Sequence, residues 1–320
     1  MDQFTHEPTE PLALERSQKQ KNTGIFGIAA VAFVVVSAAV VVVATRSNDV
    51  SSGPATTTRS STTSTGHYDS LTTLDNGGNV GPSTPTEADP IGLEADPKER
   101  LAIAASGKRD IELIRVRAGS RKVMFIGGIF GKTASDVAGG VSLVQRLPGE
   151  YARQANKSSP SLLAIPNANP DRAFNQGGTN SNGVYISRNF PSDDWSSTPV
   201  AGYSPGTNGT APLSEPETQA VYNELLAEQP DLVVVLVART GGAKIDYNGS
   251  QSAEDAEFLG REISTPTARS GSDIPPGSLG RWWGDVQNHR IVFLYLPKDL
   301  SGDEAWRRYG NSLMALVRRV

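Results

Sequence analysis

Leu232-Val233-Val234-Val235-Leu236-Val237 is six apolar residues in a row, with no polar residue among them. A strand with one wet face alternates apolar and polar positions. An unbroken, branched-aliphatic run of this length belongs to a strand covered on both faces, as in the middle of a parallel sheet. The residues just before it read as a helix over 215–228. Its start is Ser214-Glu215-Pro216-Glu217, a capping box in which Ser214 is the N-cap and Glu217 reaches back to it. Helix followed by buried strand is the repeating unit of an α/β domain.

Working outward, further strands are expected at Ile111–Arg117, Lys122–Gly128, Ser161–Ile165 and Arg290–Leu296, with the central run extended to Asp231–Val237. Helical patterns fall at Ala134–Leu147 and Gly302–Arg319. The order is strand, strand, helix, strand, loop, helix, strand, loop, strand, helix. It fits a single α/β domain over 91–320. Two long segments, Asn167–Leu213 and Thr240–Asn288, read as irregular loops rich in Gly, Asn, Ser and Pro. Loops of that length inside a compact domain carry function or are disordered, and in an α/β sheet they gather where ligands bind.

Upstream of this domain the chain changes character twice. Ile25–Ala44 (IFGIAAVAFVVVSAAVVVVA) has no charge over twenty residues, long enough as a helix for the roughly 30 Å apolar core of a bilayer. The apolar part of a cleaved signal peptide is shorter, about 7–15 residues. The expectation is therefore an uncleaved single-pass anchor. Arg16, Lys19 and Lys21 precede it, against Arg46 and Arg59 after it. That bias puts residues 1–24 in the cytoplasm as a tail and residues 91–320 outside the cell membrane. Residues 45–90, Ser/Thr-rich with almost no large apolar side chains, read as a disordered linker.

Composition removes several chemistries. The chain of 320 residues carries a formal net charge of -4, which disfavours a general nucleic-acid partner. It has no cysteine, so no disulfide, thiolate metal site or cysteine nucleophile. Of its three histidines, only His289 lies in the 91–320 domain, where it reads as part of a polar loop. Asp136, Asp193, Asp194 and Asp246 have no calcium-loop spacing. Trp282 and Trp283 suit either a cleft rim or the core. Asn208 and Asn248 begin N-glycosylation triplets.

Four segments, in order, carry a family resemblance. They are Gly127-Gly128-Ile129-Phe130-Gly131-Lys132-Thr133; Asn169-Pro170-Asp171 with Asn182 to Pro191 (NGVYISRNFP); Ser214-Glu215-Pro216-Glu217-Thr218 leading into the central run; and Ile245–Gly249, Pro276-Gly277-Ser278-Leu279-Gly280 and Ile291–Pro297. Together they resemble the zinc carboxypeptidases, most closely the bacterial branch that includes murein peptide amidases. The resemblance covers about residues 105–320. It implies a mixed, mostly parallel central sheet flanked by helices, and a peptide or peptidoglycan stem-peptide ligand.

It also implies a zinc held by His-x-x-Glu and a later His, a separate Glu as general base, and arginines for the substrate carboxylate. This sequence departs from that pattern at nearly every point. Phe130 stands at the first ligand position, Thr133 at the second and Val237 at the third, while Tyr295 takes the place of the catalytic Glu. Gly178 and Ser187 replace two substrate-binding residues, and Arg188 is retained. A site with two histidine ligands cannot be built from one histidine in any register. No metal or other cofactor and no catalytic residue is therefore expected.

Arg188, Lys132 and Arg239 are the candidate substrate-binding residues, converging on an anion pocket in which side-chain charge replaces the metal's. The functional expectation is a catalytically inactive, membrane-anchored domain that binds peptide, cell-wall material or an envelope protein partner. The alternatives are an active peptidase or amidase, metal-independent or a divergent zinc enzyme, and a spacer with no ligand.

Overall fold

Val235 pairs with Ile126 on one side and Phe293 on the other, both in parallel register, which places the apolar run in the middle of the sheet. The computed structural model describes residues 91–320 apart from 131–133, 175, 200–205 and 272–273. The expected tail, anchor (25–44) and linker (45–90) lie outside the described residues. Among the described residues, no helix is long and apolar enough to cross a membrane.

The strands are β1 (Glu99–Ile103), β2 (Asp110–Val116), β3 (Lys122–Ile126), β4 (Ser161–Ile165), β5 (Leu232–Arg239), β6 (Lys244–Asn248), β7 (Thr267–Arg269) and β8 (Ile291–Pro297). They form one sheet in the order β1-β2-β4-β3-β5-β8-β6-β7. Its middle, β4-β3-β5-β8, is parallel throughout. β2 runs antiparallel to β4, and β6 antiparallel to β8.

Leu232 through Val237 are all buried. The period-2 geometry of a strand sends them alternately to two cores. Leu232, Val234 and Leu236 join Leu143, Leu147, Leu259, Leu313 and Leu316 on one face. These come from α1 (Ala134–Ala152), α3 (Ala253–Glu262) and α5 (Asn311–Arg319), the last preceded by the short α4 (Gly302–Ala305). Val233, Val235 and Val237 face the other way, toward Val221 and Leu225 of α2 (Pro216–Glu228) and toward Trp282 and Trp283. The two faces hold different chemistry: helices cover the first, whereas loops cover much of the second.

Two sequence expectations are corrected. The helix at 216–228 has no capping box: Glu215 is the N-cap, and no side chain caps the helix. Ser214 instead donates its hydroxyl to Glu215 Oε1 at 2.7 Å. Glu217 is fully buried and accepts from Ala105 N at 2.8 Å and Asn180 Nδ2 at 2.9 Å, so tertiary partners have taken the carboxylate a box would use. The segment 240–288 is not one irregular loop. It contains β6, α3, β7 and a π-helical stretch, Gly280–Val286. Asn167–Leu213, by contrast, keeps only three short 3-10 turns among its described residues.

Trp282 and Trp283 belong to the core. Trp282 stacks on Phe190 (ring centroids 5.4 Å) and leans on Tyr222 (4.8 Å). Trp283 is fully buried with the His289 ring against it at 4.0 Å. His289 is therefore a stacking partner, not a free loop residue, and its burial lowers its pKa. The largest loss on truncation should fall here: Trp283→Ala is expected to cost about 3–5 kcal/mol, read as a shift in the denaturant midpoint of the full chain.

Candidate functional site

The heads of β5, β8 and β6 line up side by side. Val237 pairs with Tyr295, and Tyr295 pairs with Lys244, so positions 237, 295 and 244 form one row across three strands. Alternation places Phe293 beside Tyr295, and Asp246 and Asn248 beside Lys244, on the same face as this row. The chain leaves β3 through Gly127-Gly128-Ile129-Phe130 alongside them. Gly128 has φ +69° with the Asn167 side chain against it, which leaves no room for a Cβ. This turn brings the Phe130 ring edge-on to Phe293, centroids 6.1 Å apart.

These side chains border a cavity of about 230 Å³. Phe130, Phe293 and Tyr295 form its aromatic part, Arg188, Lys244, Asp246 and Arg269 its charged part, and 274–280 one wall. Lys244 Nζ donates to Asp246 Oδ2 at 2.7 Å and lies 5.6 Å from the Tyr295 ring centroid. Lys244 keeps 42% of its side chain exposed, whereas Asp246 keeps 9%. The aspartate is a buried prop and the lysine is the part of the pair that faces a ligand.

Arg188 ends a 3-10 turn, Ile186–Arg188, and is buried with its guanidinium over the Tyr185 ring at 5.4 Å. Its backbone is fixed on several sides. Thr218 Oγ1 on α2 donates to Ile186 O at 3.0 Å, and Phe190 N donates to Gly277 O at 2.9 Å. Asn189 Nδ2 donates to Asn208 O and Ala211 O, both at 2.7 Å. Gly277 has φ +72°, and a Cβ there would run into the Arg188 carbonyl. The P-G-S-L-G segment therefore acts by letting two backbones touch behind the arginine.

A layer of buried carboxylates holds this loop from below. Asp171 accepts from Ser106 N (2.7 Å), Ser106 Oγ (2.6 Å), Ser181 Oγ (2.7 Å) and Arg109 Nη1 (3.0 Å). Burial pulls its pKa upward, but the hydrogen bonds from Ser106, Ser181 and Arg109 outweigh this and leave it below the ordinary carboxylate value. Glu217 shows the opposite balance: burial dominates, and its pKa is raised despite the bonds from Ala105 and Asn180.

The structure sorts the sequence candidates. Arg188 lines the cavity. Lys132 and Thr133 lie outside the described residues. Arg239 is not among the lining residues: at the last position of β5 it is only partly buried, and its Nε turns back to Thr240 O at 3.2 Å. The expected convergence therefore does not extend to Arg239, because its side chain, at the very end of the strand, folds back on the following residue. Lys244 and Arg269 were missed, and Asp246 was weighed only as a metal ligand. Lys-Ile-Asp, charges two apart around an apolar residue, is a half-buried strand signal, but it is too short to stand out from a loop. Asp193 and Asp194 face Arg281, with Asp194 at 2.6 Å. Asn208 and Asn248 are buried with their side-chain amides in use, so neither glycosylation triplet presents its asparagine.

The fold with its site at the strand ends is that of the zinc carboxypeptidases. Solved structures that share it include murein-tripeptide amidase from Escherichia coli O157 (TM-score 0.53, 24% identity, covering 72% of this chain and 94% of that one). Another is a metallo-carboxypeptidase from Burkholderia cenocepacia (TM-score 0.52, 16% identity, 70% and 64% covered). In sequence the chain is a homologue of murein peptide amidase A from Escherichia coli strain K12, 31% identical over 148 residues, which is 43% of this chain. That match spans only 59% of the relative's length. No family model matches the chain.

The residues at the zinc position do not fit the ion. Val237 and Phe130 offer no donor atom, and Tyr295 occupies the row where a carboxylate would act. Among the described residues, no group of three His, Asp or Glu side chains is placed to hold a metal.

Two outcomes follow from the geometry. Gly277→Ala should destabilise the chain and weaken anything Arg188 binds, since the positive φ and the touching carbonyl both oppose a Cβ; thermal unfolding with a parallel ligand titration checks it. Asp171 contributes stability that is full above the ordinary carboxylate pKa and is lost as pH falls through its lowered value. Asp171→Asn should therefore flatten the acid limb of stability below about pH 4, measured by urea unfolding at stepped pH.

Proposed function

We propose that this peptidase-like domain binds, without cleaving, a peptide end that carries a free carboxylate, such as a peptidoglycan stem peptide. We further propose that it does so outside the cell membrane, anchored by residues 25–44. The observation that carries the reading is the pairing of a refilled metal position with a retained arginine. By the resemblance, Phe130, Val237 and Tyr295 fall where metal hydrolysis needs His, His and Glu, and Arg188 lines the cavity. An arginine braced by Thr218, Asn189 and Gly277 suits bidentate capture of a carboxylate.

The homology to murein peptide amidase A supports the choice of ligand, and the uncharged 25–44 segment with the basic residues before it supports the location. The competing reading, an active hydrolase with or without metal, requires an activated water or a nucleophile in this cavity. Two serines line it, Ser270 and Ser278, with no histidine among the lining residues to activate either, and Ser278 Oγ accepts from Arg281 N at 3.3 Å.

The test uses the full-length chain in detergent micelles. Elemental analysis should give far less than one zinc per chain, and incubation with stem peptides should release no product. Near-stoichiometric zinc or turnover would overturn the non-cleaving part. Binding of a peptide with a free C-terminal carboxylate should weaken about ten- to a hundredfold in Arg188→Ala, the range a charge-assisted hydrogen bond supplies. Equal affinity in the two chains would overturn the role of Arg188.

A further inference from the structure

The geometry points to a second anion-reading group in the same cavity: Lys244, propped by Asp246, makes it a metal-free receptor for a peptide end that carries two carboxylates. This rests on the proposed carboxylate role of Arg188 and adds the class of terminal residue, one with an acidic side chain.

Position is the first reason. Lys244 lies in the row formed with Val237 and Tyr295, so its ammonium enters the cavity beside the place where the fold otherwise holds a divalent cation. Charge is the second. The lining residues include three cationic side chains, Arg188, Lys244 and Arg269, and one carboxylate, Asp246. Arg269 is 60% exposed and has Asp285 at 3.9 Å, so it adds field more than contact. Lys244 is the better-placed contact group.

Its preorganisation is the third reason. An unsupported lysine loses much rotamer freedom on binding an anion. Here residues two apart on one strand face the same way, and the 2.7 Å bond to Asp246 Oδ2 fixes the ammonium before any ligand arrives. Lysine has three donors, of which that bond takes one. The prop is itself committed: Asp246 Oδ1 is buried with no hydrogen-bond partner among the described residues, so Lys244 is the group that compensates this carboxylate. Size is consistent as well. The cavity offers roughly eight water volumes, enough for one amino-acid end and too little for a long segment.

Full-length chain in detergent micelles, with and without EDTA, is titrated calorimetrically with N-acetyl-alanyl-glutamate, N-acetyl-alanyl-glutamine and N-acetyl-alanyl-lysine. Glutamate should bind about tenfold tighter than glutamine, equivalent to about 1.4 kcal/mol, and EDTA should leave the ratio unchanged. Lysine should bind no better than glutamine. The preference should survive Lys244→Arg and vanish in the double variant Lys244→Met/Asp246→Asn, which avoids stranding a buried charge. Equal binding of glutamate and glutamine by the native chain overturns the Lys244 role and leaves the Arg188 reading standing. Loss of all binding overturns both. Preference for lysine, or a glutamate preference that survives in the double variant, overturns Lys244 as the reader. The native comparison needs no variant, so it decides the matter even where the double variant fails to fold.

Discussion

β5 is hydrogen-bonded in parallel to β3 on one side and to β8 on the other, and that double pairing sets where everything else can go. A strand buried on both faces has no tolerance for slippage, because a one-residue shift would exchange its two apolar sides. With Val233 fixed against Ile291 and Val237 against Tyr295, the far ends of β5 and β8 finish level. β6 then returns along β8 and starts its own run at that same level with Lys244. The row of side chains at the cavity floor is thus a consequence of sheet register, and the loops only close it in.

That dependence lets the fold stand whatever side chains occupy the strand ends. In small metal-dependent domains the ion supplies folding free energy, and chain and ion are stable together or not at all. Here the apolar cluster on the second face of the sheet includes Val237, with Phe130 and Tyr295 packed against it. Phe130 and Val237 carry no donor atoms; Val237 belongs to the core, and Phe130 packs between it and the cavity. The cavity's charge comes from its side chains. Arg188 and Lys244 both line it, one from the end of the 3-10 turn and one from the sheet. A lysine does not polarise a carbonyl or acidify water as a divalent ion does.

How much of this was legible depended on how local the cause was. Ser161–Ile165 is a strand in sequence and in structure alike, and Asp231–Val237 differs from the observed Leu232–Arg239 only at its ends. Continuous branched-aliphatic runs declare themselves because burial on two faces leaves no other composition. Arg188 was identifiable through the motif around it. Lys244–Asn248 was not, since Lys, Asp and Asn are poor strand formers and it pairs only because β8 and β7 lie on either side of it. The same holds for α3, whose AEDAEFLGRE is half charged and buries only Asp255, Ala256, Leu259 and Gly260. The capping box failed for a related reason. Its pattern is local, but Glu217 is claimed by Ala105 and Asn180, partners 112 and 37 residues away.

The buried carboxylates bear on the cavity more directly than their distance in sequence implies. Asp171 and Glu217 both hold the turn between β1 and β2, through Ser106 and Ala105. Asn180 joins Glu217 to Glu215, with bonds of 2.9 and 2.7 Å. Asn180 also accepts from Val184 N through its Oδ1 at 3.0 Å, four residues before Arg188. The first hairpin, the start of α2 and the arginine-bearing loop are therefore one hydrogen-bonded body. An arginine that must meet a carboxylate with two aligned bonds gains from such bracing, since each degree of freedom removed beforehand is one that binding need not remove. The polar network is thus what holds the Arg188 loop in place at the cavity wall.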